Sequence, residues 1–76
     1  MSGHNNIEHL VTMANQIGDF FAPMKDHSKS QEEIIAHLKR TWDPRMRKAL
    51  VEHVQQHQGE GLNQVVLDAV RTHTMV

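Results

Sequence analysis

The pair Asp43-Pro44 constrains this chain more than any other feature in it. A proline keeps the residue before it out of the α region, so a helix arriving from the N-terminal side must stop by Trp42. The same pair starts another helix. Asp43 can accept a backbone N–H as an N-cap, and Pro44 suits the first helical position, where no donor is needed. The stretch Thr41-Trp42-Asp43-Pro44-Arg45-Met46-Arg47-Lys48 therefore reads as a corner. One helix ends on the only Trp, and the next begins with Arg45, Arg47 and Lys48 in its first two turns. Cations there face the unfavourable end of the helix dipole, which implies that they serve something other than that helix.

Apolar residues at spacings of three and four mark helices on both sides of the corner. Ile7, Leu10, Val11, Ala14, Ile17, Gly18 and Phe21 make one face of a first helix, capped by Asn5 or Asn6 and ended near Ala22 by Pro23. Ala14 and Gly18 are small enough to let another helix approach. Met13, Phe20 and Met24 lie beside that stripe and widen it. They either wrap the core or meet another chain, where exposed Met and Phe are common. Lys25 to Lys29 is expected to be a polar loop, and Ser30-Gln31-Glu32-Glu33 has the form of a capping box. A second helix of about three turns would follow, with Ile34, Ile35, Leu38 and Trp42 on one side.

From Pro44, the residues Met46, Ala49, Leu50, His53 and His57 share a face, with Val54 at its edge and Gly59 as the stop. A fourth helix carries Leu62, Val65, Val66, Ala69 and Val70 and frays near His73. The expected fold is all-α: a small bundle of about four short helices with short connections, or a pair of helical hairpins. The 76 residues suffice for a single helical domain over 1–76, with 1–5 and 74–76 as loose tails. A domain this small buries only about 60% of the surface of its unfolded chain, so a partner would add stability.

Little in the chain can do chemistry. The absence of cysteine removes disulfides, iron–sulfur ligation and thiol nucleophiles together. His53 and His57 stand four apart, which is half of a zinc site, but no Glu follows His53 and the other five histidines are scattered singly. Ser2, Ser28 and Ser30 fall in a tail, a loop and a cap, none of them a nucleophile's setting. Glu32 and Glu33 are neighbours, so on a helix they diverge by about 100° and cannot act as a carboxylate pair. Gly59-Glu60-Gly61 lacks the Lys-Ser/Thr of a phosphate loop. No catalytic residue, bound cofactor or metal is expected. No signal peptide is visible, and no apolar run nears the roughly 20 residues that span a bilayer. A soluble, cytoplasmic protein is expected.

Charge is unevenly spread. The net charge is −1, yet residues 39–48 hold five of the eight Lys and Arg against one acid, Asp43, a local +4. The remainder carries −5. The net negative charge argues against a dedicated nucleic-acid binder, and the basic corner suits an acidic partner.

Two blocks carry a family resemblance: Leu10-Val11-Thr12-Met13-Ala14-Asn15-Gln16-Ile17-Gly18-Asp19-Phe20-Phe21 and His37-Leu38-Lys39-Arg40-Thr41-Trp42-Asp43-Pro44-Arg45-Met46-Arg47. They resemble the delta subunit of NAD-dependent formate dehydrogenase, and the similarity spans about residues 7–73. The family's pattern commonly has an aromatic at Thr41 and a Pro at Gln64, so packing at the corner and the start of the last helix should differ here. The resemblance implies an accessory subunit of a cytoplasmic complex that oxidises formate to carbon dioxide and reduces NAD. A large subunit would hold a molybdenum or tungsten pterin cofactor and iron–sulfur clusters, and other subunits further clusters and FMN. The delta subunit would hold no redox centre and would support assembly or stability.

On that reading the expected partner is the large subunit, and possibly the other subunits. The partner-binding residues would be Trp42, Asp43, Arg45, Met46, Arg47 and Lys48, with Met13, Phe20 and Met24 as a second surface. Arg45 and Arg47 would pair with carboxylates or backbone carbonyls in a two-point geometry that Lys cannot offer. Trp42 either anchors that contact or closes the core, and its place on the apolar side of the second helix favours the core. Two other readings are a transient assembly chaperone for the large subunit and a small helix-turn-helix DNA reader.

Overall fold

The computed structural model describes residues 6–73, and the tails expected at 1–5 and 74–76 lie outside the described residues. Four α-helices follow one another: α1, Ile7–Phe21; α2, His27–Thr41; α3, Pro44–His57; and α4, Gln64–Thr72. The described residues are all-α. The helices α2 and α3 are consecutive but hardly touch beyond their corner; α1 and α4 pack between them, and α4 lies most extensively on α2. The core holds Leu10 and Ala14 of α1, Ile34, Ile35 and Leu38 of α2, Trp42 at the end of α2, Leu50 and Val54 of α3, and Val65, Val66, Ala69 and Val70 of α4. Each fully buried Leu, Ile or Val contributes about 1.5–3 kcal/mol relative to exposure, which offsets much of the entropy of ordering so short a chain.

The helix ends follow from side-chain chemistry. The Asn6 carboxamide oxygen accepts from Glu8 N and His9 N at 3.0 and 3.4 Å, so α1 starts where a cap is expected. Helix α2 begins four residues earlier than the Ser30 capping box implies. Asp26 is the cap, accepting from Lys29 N at 3.2 Å, and the helix runs 15 residues. Ser30 is instead fully buried inside it, and its hydroxyl donates to His27 O at 2.8 Å. An ionised Asp is at least as good an N-cap as Ser, and the longer helix hides Ser30 in the core.

Helix α3 is rotated from the expected face. Leu50 and Val54 are its buried residues, while His57 is exposed. Its end also comes sooner: Gln58 takes the left-handed conformation at φ 58°, ahead of Gly59 at φ 69°. Gly59 N–H returns to His53 O at 3.1 Å. The positive φ favours glycine at 59, and a Cβ there would also stand 2.5 Å from Leu67 Cδ1, so the end of that side chain would have to shift.

Candidate functional site

At the corner, the local chemistry of Asp43-Pro44 is realised. The Asp43 carboxylate accepts from Met46 N at 3.0 Å and Pro44 opens α3. Trp42 is extended, its N–H bonded to Leu38 O at 2.9 Å, and its side chain is only 5% exposed. The indole closes the core from the end of α2. Met46 is half-buried and packs against the same cluster.

The cations divide into two kinds. Arg47 is half-buried, and its Nη1 donates to Lys39 O, a carbonyl of the last turn of α2, at 3.4 Å. Its Nε is buried without a hydrogen-bond partner among the described residues. A cation at a helix C-terminus meets the favourable end of the dipole. Arg47 therefore works against its own helix and for the preceding one. The other four, Lys39, Arg40, Arg45 and Lys48, are exposed around the same corner. Among the described residues the Arg47 bond is the only side-chain hydrogen bond made by these five.

The second surface is also split. Phe20 is 78% exposed and Met24 38%, but Met13 is half-buried and packs against the core. The Phe20 ring stands edge-on to Phe21 at 4.9 Å between centroids, and Phe21 leans toward His37 at 6.2 Å.

Polar residues of α1 hold the turn between α3 and α4. The Asn15 side chain donates to Gly61 O at 2.9 Å and accepts from Asn63 N at 2.8 Å. The Asn63 side chain donates to Asp19 at 2.8 Å and to Asn15 O at 3.4 Å. Asn63 is thereby drawn away from capping its own helix, which starts with no side-chain cap bond. Three residues on from Asn15, a Cβ at Gly18 would stand 2.4 Å from Val66 Cγ2, so α4 lies against bare backbone. This latch escapes a reading based on apolar spacing; the only sequence signal is that Asn15 and Asp19 sit four apart beside Gly18, on the edge of the apolar face.

The His53 and His57 rings lie 5.7 Å apart, and His53 Nε2 is 2.8 Å from Glu60 O. Among the described residues no three His, Cys, Asp or Glu side chains group so as to hold a metal ion. No helix among them is long and apolar enough to cross a membrane.

The model of the family described as NADH-dependent formate dehydrogenase delta subunit FdsD matches residues 9–70, most of the chain. The chain belongs to that family. No curated protein and no solved structure matches it. Both blocks that resemble the delta subunit fall wholly within the matched span, and in this delta-subunit chain the structure gives most of their residues internal work. Asn15, Gly18 and Asp19 seat α4 and its turn; Trp42, Asp43, Pro44 and Arg47 build the corner. Gln16, Phe20, Lys39, Arg40 and Arg45 are left facing solvent.

Proposed function

We propose that this chain is a non-catalytic accessory subunit of a cytoplasmic, NAD-dependent formate dehydrogenase complex, and that it supports assembly or stability by being held against the large cofactor-bearing subunit. The reaction, formate and NAD to carbon dioxide and NADH, takes place in the other subunits, which carry the pterin metal, the iron–sulfur clusters and the flavin. What this chain brings is a stable shape and a surface. The observation that carries the reading is the family match over residues 9–70. The structure supports it: the residues of the two resembling blocks are largely spent on packing, capping and latching, which is what a rigid docking module requires.

The test is co-expression of the complex with and without this chain. We expect less assembled complex and lower formate-dependent NADH formation per amount of large subunit when it is missing, with the chain stoichiometric in the purified complex. Equal yield, activity and thermal stability without it would overturn the reading, as would formate oxidation by the chain alone. Absence of the chain from a mature complex whose assembly it promotes would make it a transient chaperone.

A further inference from the structure

We infer that the docking surface is the rim of four exposed cations around the corner, Lys39, Arg40, Arg45 and Lys48, and that it takes a protein segment carrying clustered carboxylates. This rests on the accessory-subunit reading and deepens it. It also changes the membership expected from the chain's pattern. Trp42, Asp43, Met46 and Arg47 leave the set, because each is buried or engaged within the fold, and Lys39 and Arg40 enter it.

Four observations converge. The corner is two residues long, so the last turn of α2 and the first turns of α3 stay together, and the Arg47 bond to Lys39 O ties them. Asp43 is the one acid between residues 39 and 48, and its carboxylate is spent on Met46 N. Glu52 is the one acid of α3, a turn beyond Lys48, in the weaker order for a helical pair. Arg45 also stands in the first turn of α3, at the positive end of its dipole, where its charge works against the helix. An anionic partner removes that conflict.

The anion is better a carboxylate than a phosphate of nucleic acid. The N-terminus of α3 is where a phosphate would seat on free backbone N–H groups. Pro44 has no N–H, and the Asp43 carboxylate occupies the position. The rest of the chain carries −5, which would repel an extended polyanion but not a local acidic segment.

The test uses the full chain and the complex of the other subunits, with binding measured across a salt series. We expect affinity to fall as salt rises, and the double variant Arg45→Glu, Lys48→Glu to lose at least about tenfold. Its circular dichroism and melting should match the wild type, since acids suit the first turns of a helix. The control Lys25→Glu, which reverses an exposed cation at the other end of α2, should bind as the wild type does. Wild-type affinity in the charge-reversed variant, or loss in Phe20→Ser but not in that variant, would overturn the inference while leaving the accessory role standing. Tighter salt-dependent binding to a duplex DNA oligonucleotide than to the complex would overturn it in favour of a nucleic-acid surface. No binding of the wild-type chain at low salt would sink the accessory reading itself.

Discussion

Replacing Gly18 with Ala separates helix propensity from packing, because the two predict opposite signs. Alanine is better than glycine inside a helix by about 1 kcal/mol, so propensity alone predicts stabilisation. The new Cβ, however, would lie 2.4 Å from Val66 Cγ2 and 3.4 Å from Val65 Cγ1. The first is more than about 1 Å inside the separation at which carbons attract. Val66 is fully buried, and a β-branched side chain on a helix has one strongly preferred rotamer, so it cannot swing away cheaply. The relief left is to move α4 off α1, at the upper part of the roughly 1–3 kcal/mol range for overpacking. The expected net loss is about 1–2 kcal/mol, or a fall in Tm of about 5–15 °C for a domain of this size. Thermal and urea unfolding followed by circular dichroism would read it. The double-mutant cycle with Val66→Ala isolates the contact. Val66→Ala alone should cost about 2 kcal/mol, and in that background Gly18→Ala should become neutral or stabilising. A higher Tm for Gly18→Ala alone, or the same loss in both backgrounds, would refute the close-approach argument.

Three further outcomes follow from the geometry. Asp26→Ala should cost about 1 kcal/mol as a lost N-cap, whereas Ser30→Ala should stay within about 0.5 kcal/mol because its hydroxyl caps nothing; urea unfolding of both variants checks where α2 begins. Asn15→Ala should cost about 2 kcal/mol, since it removes the bond to Gly61 O and strands the part-buried N–H of Asn63, and amide exchange of Asn63 should quicken more than that of α2. The sole Trp should emit at shorter wavelength in the folded chain than in urea and resist acrylamide quenching, because Trp42 is 5% exposed; Trp42→Ala should cost about 3–5 kcal/mol and leave the fold marginal.

Apolar spacing and two prolines were enough to read four helices, their order and the corner, because a helix that buries one stripe writes that stripe into its sequence at period 3.6. Helix α2 shows where such reading stops. Asp26 and Ser30 are both competent caps four residues apart, and only the room for a small residue in the core decides that Ser30 is buried. The buried face of α3 lies part of a turn from the one its spacing marks, because histidines count as half-apolar in a pattern while burial goes to Val54. At the site, charge was legible but geometry was not. Nothing in the order of residues distinguishes Arg47, which lies back on the end of α2, from Arg45, which faces water. The latch of Asn15, Asp19 and Asn63 joins residues more than 40 apart, beyond the reach of any local pattern.

The placement of α4 bears on how the molecule is made. Synthesis delivers this nine-residue helix after the other three, yet it is the wedge on which α1, α2 and α3 all close. A nascent chain that has not yet released Val65 to Val70 leaves Gly18 and much of the apolar side of α2 uncovered, with α1 alone bridging α2 and α3. The complete core therefore forms late, and a ribosome-stalled fragment ending before residue 64 should be a chaperone client.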